Sequence, residues 1–375
     1  MPPRYVVIAN PDSLRWRAYQ PELLAYWRER GVEPDVTLVP WRDVVPRDGC
    51  LDGLPAFDRP AVVRLESPGR DWEVTKLLLA AGSRAASEDT DWSALEYQKG
   101  LLLRPSLFHD GFCRVLEGLK RSFDARPHLR PAACPLDLAE MFDKNLTCER
   151  LRRADLPVPP TLLAASTPGE LLDQIRGHRW LTTYVKLNTG SSASAIAVVS
   201  ALQEPPSAVS TVVRMRGEFW STRRLQRHRG GDLEAVLAFL IREGVCVQQG
   251  IPMARIDGQN FDVRVVMIHG RPAFTIFRLS PNPMTNLHLG GSRGDPMACR
   301  AAIPTRCWLD ALDHCVEAAR LYDAAMVGID LRFEDGYARH YLLEVNAFGD
   351  FFPGLVDERG RGVHRVEIEE TARRA

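Results

Sequence analysis

The chain has 375 residues, 45% of them hydrophobic, and its 48 basic and 48 acidic side chains give a formal net charge of zero. This length exceeds one ordinary core and fits two or three packed units with sizeable buried interiors. The charge balance gives no indication of a nucleic-acid or membrane partner, and no apolar run approaches the ~20 residues of a membrane span. We therefore expect a cytoplasmic protein that binds neither, with eight reduced, non-catalytic cysteines.

The first third of the chain alternates strand-like and helix-like segments. The predicted buried strands are 5–9, 36–39 and 61–65, and the predicted helices are 21–30, 72–81 and 93–125. This alternation predicts a small doubly wound α/β unit. Ligands bind at the strand ends of such sheets, which are here 10–13 and 66–69, although ordinary turns explain these segments equally well. The proline-rich segment 126–135 is predicted to be a linker.

A second unit begins at Asp137, which we expect to cap one helix running to the proline-rich segment 157–161. Further predicted elements are strands 183–187, 196–199 and 245–249 and a helix over 232–243. A loop of small residues, 188–195, connects the first two of these strands. Lysine is scarce here and throughout, with five residues, at 76, 99, 120, 144 and 186. An ammonium group fits between phosphate oxygens where a planar guanidinium does not, so each remaining lysine is a candidate phosphate ligand.

Six arginines lie between positions 214 and 229, interleaved with Phe219 and Trp220. This arginine stretch is either a solvated face or a groove for an anionic substrate. Arg64 and Arg104 are further candidates for binding a substrate carboxylate.

The third unit contains two predicted hairpins. The first pairs 261–268 with 273–280 about His269 and Gly270, and it places Asp262, Arg264 and Arg278 on one face among apolar neighbours. Charges are rarely placed so without partners, which implies a bound anion or an internal ion pair. A helix is predicted over 308–323.

The second hairpin pairs 326–333 with 340–346, and its Asp335-Gly336 dipeptide is a turn signal. Strict alternation puts Tyr341 and Leu343 on the apolar face.

The polar face of that hairpin is a candidate metal site. Closure about Tyr337 places Asp330 opposite Glu344, with Cβ atoms about 5 Å apart. Two ionised carboxylates that close repel one another, and a hard divalent cation such as Mg²⁺ removes the conflict. Asn346, two residues along, adds a neutral oxygen ligand.

Five motifs resemble those of the ATP-grasp superfamily, and most closely its glutamate-ligase-like (RimK-like) carboxylate–amine ligases. In chain order they are Asp143-Lys144, Val185-Lys186 with its small-residue loop, 261–266, 286–291 and 343–346. The resemblance spans about 141–355. It implies an N-terminal Rossmann-like pre-ATP-grasp α/β domain over 1–136. Two α+β subdomains that clasp ATP would follow, a central one (lid) over 137–247 and a C-terminal one with the metal site over 248–375.

The resemblance also implies roles for single residues. The nucleotide-binding residues would be Lys144, Lys186, Gly190, Ser191, Ser192, Gln248, Gln249 and Ile251. The two lysines would hold the α- and β-phosphates, the small residues would form a lid over them, and the last three would form the adenine-binding hinge. The catalytic residues would be Arg264, Arg278 and Asn286, and the metal ligands Asp330, Glu344 and Asn346. The loop departs from the family pattern because Gly190 is its one glycine.

This inventory predicts an ATP-dependent ligase that joins a carboxylate to an amine through an acyl phosphate. ATP and two Mg²⁺ ions are the expected cofactors, with Mn²⁺ as an alternative metal. Small-molecule or peptide carboxylates and amines are the expected substrates, and a homo-oligomer is left open. The alternatives are a kinase that phosphorylates a small-molecule hydroxyl and an ATP-binding module without catalysis.

Overall fold

The computed structural model describes residues 3–69, 71–88, 90–163, 165–190, 194–349 and 353–374. Its N-terminal sheet is parallel with strand order β2-β1-β3-β4. The strands are β1 (Arg4–Ala9), β2 (Asp35–Pro40), β3 (Ala61–Leu65) and β4 (Leu129–Pro131). The helices are α1 (Leu14–Arg28), α2 (Trp41–Val44), α3 (Trp72–Ala86) and α4 (Pro105–Asp124). A parallel sheet with helical crossovers is the Rossmann-like unit that the sequence predicts.

Two helix predictions for this unit are wrong at their boundaries. Helix α1 begins at Leu14, seven residues early, because the Ser13 hydroxyl caps it by accepting a hydrogen bond from the Arg15 amide at 3.2 Å. Pro21 lies inside this helix, where burial of Trp16 on the first turn offsets the lost backbone hydrogen bond. Helix α4 begins at Pro105, since Arg104 has a left-handed backbone (φ 41°) that stops helix from extending back towards residue 93.

The predicted linker over 126–135 is also wrong. Residues 129–131 form β4, which pairs in parallel with β3, and Pro135 opens the next helix. Prolines at a sheet edge and at the first helical position cost no backbone hydrogen bond, which is why a proline-rich segment forms regular structure here.

The central sheet is antiparallel with strand order β5-β10-β6-β7-β8-β9. Its strands are β5 (Thr161–Leu162), β6 (Thr183–Leu187), β7 (Ile196–Ser200), β8 (Ser207–Met215), β9 (Glu218–Arg229) and β10 (Val245–Gln249). The helices of this part of the chain are α5 (Pro135–Phe142), α6 (Lys144–Arg153), α7 (Pro168–Gly177) and α8 (Gly230–Arg242). Helices α7 and α8 cover one sheet face, where Val185, Val247 and Leu237 are buried. The other face is open towards the C-terminal sheet.

The single helix predicted after Asp137 is two helices. Asp143 is extended (φ −99°, ψ 108°), and its carboxylate caps α6 by accepting from the Leu146 amide at 2.9 Å. Lys144 is therefore the first residue of α6. Asp137 is no cap, because α5 begins at Pro135, and the Asp137 carboxylate pairs with Arg150 at 2.8 Å.

The C-terminal sheet has strand order β14-β13-β12-β15-β16, and β11 pairs with β12. Its strands are β11 (Arg255–Ile256), β12 (Gln259–Ile268), β13 (Arg271–Ser280), β14 (Ser292–Arg293), β15 (Met326–Phe333) and β16 (His340–Asn346). The helices are α9 (Pro296–Ala301), α10 (Thr305–Arg320) and α11 (Val363–Ala372). Phe277 and Phe333 stack on Trp308 of α10, and this core is continuous with that of the N-terminal unit. No helix in the described ranges combines the length and hydropathy of a membrane span.

The hairpin of β15 and β16 carries the candidate metal ligands, and we call it the metal hairpin. It pairs as predicted at Asp330, which lies opposite Glu344. A bulge follows, because Leu331 pairs with Leu342 and leaves Leu343 as an extra residue. Leu342 is therefore buried in the core, and Tyr341 lies opposite Arg332. The predicted placement of Tyr341 and Leu343 on the apolar face is wrong, since strict alternation cannot show an inserted residue. The predicted domain boundaries stay a prediction.

Candidate active site

A cleft of about 1020 Å³ lies between the open faces of the central and C-terminal sheets, with a third wall from the N-terminal unit. The predicted site residues that line it are Lys144, Lys186, Gly190, Gln248, Gln249, Ile251, Arg264, Arg278, Asn286, Asp330, Glu344 and Asn346. Ser191 and Ser192 lie outside the described residues. The fold therefore gathers every described member of the predicted set into one cavity.

The floor of the cleft is the polar face of the metal hairpin. Asp330 and Glu344 are cross-strand partners, and Asn346 lies opposite Gly328. The Asn346 amide nitrogen donates to the Gly328 carbonyl at 3.3 Å, and Asn346 lines the cleft. Among the described residues no group of three or more His, Cys, Asp or Glu side chains could hold a metal ion. The candidate set instead combines two carboxylates with one amide oxygen, a donor chemistry that fits Mg²⁺.

Two arginines surround Asp330, which is 7% exposed. Arg264 donates from Nε to Oδ1 and from Nη2 to Oδ2 at 3.0 Å, a bidentate pair, and Arg278 Nη2 lies 3.0 Å from Oδ1. Burial disfavours the charged form of Asp330, but the two guanidinium groups outweigh it and hold the pKa of Asp330 below its ordinary value. Gly328 makes room for this pair, because a Cβ there would lie 3.0 Å from Arg264 Cδ.

Asp262 holds Arg278 in place. Its Oδ1 accepts from Arg278 Nε at 2.6 Å, its Oδ2 accepts from the Thr285 hydroxyl, and Arg332 lies 4.0 Å away. Burial opposes the charge on Arg278, yet Asp262 and Asp330 together raise the pKa of its guanidinium further above its ordinary value. Of the two alternatives for these charges, a bound anion or an internal ion pair, the structure shows internal ion pairs. Thr285 is a contact that the sequence did not indicate.

Lys186 connects the two sheets across the cleft. Its Nζ donates to Gln248 Oε1 at 2.8 Å and lies 3.7 Å from Glu344 Oε1. Gln248 is buried, and its amide nitrogen contacts Cys148 Sγ at 3.2 Å. The side chain of Gln248 is therefore occupied in positioning Lys186, a role the sequence did not indicate. The alternation of β6 also places Tyr184 on this face, with Lys186 Nζ 5.9 Å from its ring centroid.

Lys144 contacts the small-residue loop. Its Nζ donates to the backbone carbonyls of Asn188, at 3.4 Å, and of Gly190. The Asn188 side chain bonds both Asp143 Oδ2, at 2.8 Å, and the Asn145 amide, at 2.9 Å. These bonds hold the N-terminus of α6 against the start of the loop. The ammonium group thus stands where α6 and the loop meet.

The remaining predicted residues lie on the cleft walls. Asn286 accepts from the His288 amide at 2.8 Å, which fixes the Asn286 side chain on a short turn. Gln249 ends β10 and Ile251 follows it, and here the Gln249 amide donates to the Pro160 carbonyl at 2.9 Å and the Gly250 amide to the Thr182 carbonyl at 2.7 Å. These bonds fix the segment that was predicted to contact adenine.

Both predicted strand ends of the N-terminal unit reach the cleft. Asn10 is 4% exposed and donates to the Pro68 carbonyl at 2.8 Å, which joins the two segments. Arg15 on α1 donates to the Phe348 carbonyl at 2.7 Å, just after the metal hairpin. Asn10, Ser13, Arg15, Ser67 and Trp72 are among the lining residues. Of the two alternatives for these segments, the structure favours a ligand-facing edge.

Comparison with known proteins shows the fold. Neither the protein-family models nor the curated proteins gave a match to the sequence. Among solved structures, D-cycloserine synthetase DcsG is similar, with a TM-score of 0.56, 15% identity and 99% of each chain covered. D-alanine–D-alanine ligase from Bacillus anthracis complexed with ATP has a TM-score of 0.53 and 13% identity, covering 99% of this chain and 97% of the ligase.

Macrocyclase MdnC from Microcystis aeruginosa MRC, bound with precursor peptide MdnA, is similar at a TM-score of 0.53, 12% identity and 99% of each chain. The ATP-grasp fold predicted from the sequence is confirmed, because these structures share it over nearly the whole chain. The closer likeness to glutamate-ligase-like enzymes stays a prediction.

Proposed function

We propose that this protein is an ATP-dependent ligase that joins a carboxylate to an amine through an acyl-phosphate intermediate. One observation carries the proposal: a single cleft brings together two lysines, two arginines and an oxygen-rich strand pair from distant parts of the chain. Phosphorylating a carboxylate brings at least about four negative charges together, and this set of groups can offset them. The fold shared with a D-alanine–D-alanine ligase crystallised with ATP supports the same function.

In this proposal the nucleotide lies between the two sheets. Lys144 and Lys186 contact its phosphates from opposite sides, and the segment from Gln248 to Ile251 contacts adenine. Lys144 now donates to two loop carbonyls, which are weaker partners than phosphate oxygens because they carry no net charge. Binding therefore exchanges neutral acceptors for anionic ones.

Asp330, Glu344 and Asn346 would hold Mg²⁺, which when bound neutralises phosphate charge and polarises the phosphoryl group. Arg264 and Arg278 neutralise Asp330 in this structure and hold its pKa below the ordinary value. Arg264 and Arg278 lie beside the same carboxylate, so their guanidinium groups face the space where phosphoryl transfer would occur. We assign them the transferring phosphoryl group and the oxyanion that follows.

The proposed reaction has two steps. A substrate carboxylate oxygen attacks the γ-phosphorus, the bond from that phosphorus to the β,γ-bridging oxygen breaks, and ADP leaves. An amine nitrogen then attacks the acyl carbon, phosphate leaves with the electron pair of the broken C–O bond, and the nitrogen loses a proton to solvent. No nucleophilic side chain is required.

Oxygen transfer tests this proposal. The protein is incubated with ATP and Mg²⁺ across a crossed panel of ¹⁸O-labelled carboxylates and amines, and both ADP and phosphate are analysed. We expect ADP release that requires both partners, with one ¹⁸O atom appearing in phosphate. A hydroxyl substrate that becomes a stable phosphoester without an amine would indicate the kinase alternative. ATP binding without turnover across the panel would indicate a non-catalytic module.

A further inference from the structure

The β8–β9 hairpin carries an excess of positive charge. Between residues 207 and 229 there is one acid, Glu218, and six arginines, which are Arg214, Arg216, Arg223, Arg224, Arg227 and Arg229. All six are exposed, and in the described part of the chain no hydrogen bond or ion pair reaches their guanidinium groups. Several other surface arginines have acidic partners, such as Arg28 with Glu33 and Arg84 with Asp48. Clustered like charges repel, so the fold alone gives no reason for this pattern.

Strand register shows which of these arginines lie on the cleft side of the central sheet. One cross-strand row runs over five strands, through Gln248, Tyr184, Val198, Val209 and Arg227. Residues paired across a sheet share a face, and Gln248 and Tyr184 line the cleft. Arg227 therefore lies on the same face as the cleft.

Alternation along β9 extends this face to Leu225 and Arg229, on either side of Arg227. Leu225 confirms the assignment, because it packs with Met284 and Leu289 against the cleft side of the central sheet. The register is irregular before Leu225, because Ser210 pairs with Gln226 but Val212 pairs with Ser221. We call Arg227 and Arg229 the cleft-side arginines. Arg214, in contrast, pairs with Phe219, which stacks on Phe239 of α8 on the opposite face.

The distance from the cleft fits an extended chain. Three strand spacings of about 4.8 Å separate β6, which carries Lys186, from β9, or about 14 Å in all. An extended peptide covers this in about four or five residues. The turn that carries Asn286 and His288 lines the cleft and contacts β9.

We propose that the cleft-side arginines bind the side-chain carboxylates of an acidic peptide whose reacting carboxyl group lies in the cleft. The inference rests on the proposed function and names its substrate class. The planar guanidinium group of arginine can donate two parallel hydrogen bonds to one carboxylate. The cleft-side arginines form no hydrogen bond or ion pair with described residues through their guanidinium groups, so all of these donors are available to a ligand.

The aromatic residues of the hairpin favour a peptide over a nucleic acid. Phe219 stacks on Phe239 with ring centroids 4.3 Å apart. Trp220 bridges to Leu101 and has a buried indole nitrogen. Single-stranded nucleic acids bind through rings that are free to stack on bases, and both rings are already packed.

A binding measurement tests the inference. The probe is a fluorescein-labelled peptide of about ten residues with about six glutamates, titrated with the full chain by fluorescence anisotropy. The test variant is R227Q/R229Q, and the matched control is R214Q/R216Q, which removes the same charge from the same hairpin. We expect Kd to rise at least about 10-fold in the test variant and less than about 2-fold in the control. Raising salt from about 50 to 300 mM should weaken the wild type more than the test variant.

Three results would overturn the inference: no binding of the acidic peptide by the wild type, equal weakening by the two double variants, or tighter binding of a single-stranded oligonucleotide of equal charge. Melting temperatures of all variants establish that they are folded. ATP affinity is measured separately, so the two proposals can fail independently. If the peptide binds but no ADP is released, the ligase proposal fails and peptide binding by the cleft-side arginines stands. If ADP is released but the peptide does not bind, the ligase proposal stands and the peptide inference fails.

Discussion

Two buried arginine–carboxylate clusters in this molecule have the same chemistry and different surroundings. In the cleft cluster Arg264 and Arg278 share Asp330, and these side chains line an open cavity. In the second, which we call the α11 cluster, Arg64 donates to Glu66 at 2.7 Å and to Glu367 of α11. Neither Arg64 nor its two carboxylate partners is among the residues that line the cleft.

The α11 cluster fixes the C-terminal helix to the N-terminal unit. Arg64 lies 4.1 Å from the ring centroid of Tyr19 on α1, and His364 Nδ1 lies 3.6 Å from Glu367 Oε2. Burial opposes ionisation of Glu367, but Arg64 outweighs it and lowers the pKa of Glu367 to about 2. Arg64 was a candidate for binding a substrate carboxylate, and the structure instead encloses it among internal partners.

The comparison shows that a buried ion pair alone does not mark a site. A functional site must also be open to a ligand. It needs nearby charges that are only loosely paired, such as Lys186 and Glu344, whose Nζ and Oε1 atoms are 3.7 Å apart. Substitutions should therefore separate the clusters: in the cleft they should impair chemistry, and around α11 they should impair folding.

The largest effect is expected from Glu344→Gln in the cleft. Loss of this carboxylate removes the negative charge opposite Asp330 that the metal requires, so ADP release should fall at least about 1000-fold with no change in melting temperature. A coupled ADP assay and a thermal melt measure the two quantities. Glu33→Gln, at an exposed pair, is the control and should change neither. Wild-type ADP production by Glu344→Gln would remove the metal assignment.

Glu367→Gln should have the largest effect on folding. It leaves the Arg64 charge buried with one fewer partner, which should lower the free energy of unfolding by about 3–5 kcal/mol. Urea unfolding measures the loss. The folded fraction should still bind ATP with unchanged affinity, and a variant that is fully stable but impaired in ATP binding would contradict the separation of the clusters.

Lys186→Ala should weaken ATP binding about 10- to 100-fold, because a charge-assisted contact to phosphate is lost. Isothermal titration with ATP and Mg²⁺ gives the affinity. Lys186→Arg should recover little of it, since a planar fork does not replace a point charge. Lys120→Ala, at an exposed lysine paired with Asp124, is the control, and equal effects at both positions would exclude Lys186 from the nucleotide site.

Lowering the pH should reduce the stabilisation that the α11 cluster gives to the folded state. The pKa of Glu367 is lowered in the folded state, so its contribution is complete above an ordinary pKa of about 4.5 and is lost as pH falls towards about 2. Between pH 5 and pH 3 the wild type should lose about 1–2 kcal/mol through this group. Urea unfolding of Glu367→Gln should show a correspondingly shallower pH dependence, and an identical slope would contradict the assignment.

The sequence predicted those parts of the site that follow from local pattern. Alternation and a turn signal were sufficient to pair Asp330 with Glu344, and two scarce lysines were found in one cleft. Contacts between elements distant in the chain could not be predicted. Periodicity shows which face of an element is buried, but it does not show which other element packs against that face. The bond from Lys186 to Gln248 and the enclosure of Arg64 by α11 both depend on tertiary packing.

Backbone irregularities account for most errors in the predicted fold. The break at Asp143 and the left-handed Arg104 interrupt helices that periodicity alone would continue. The predicted helix begins at Pro21, whereas α1 begins seven residues earlier and contains Pro21. Each of these boundaries depends on the conformation of one residue. Capping and burial determine that conformation, and a periodicity averaged over many residues does not show them.

The bulge at Leu343 decides what the metal hairpin can display. Leu342 and Val345 are both in the core, three positions apart, whereas an unbroken strand returns to the same side only at even spacings. If Leu343 were held in a regular strand without a bulge, burying Leu342 would turn Glu344 and Asn346 into the core as well. Deleting Leu343 would thus give a regular strand that keeps Leu342 and Val345 in the core and both oxygen donors in the cleft, so the bulge accommodates one additional cleft-side residue without a change of parity.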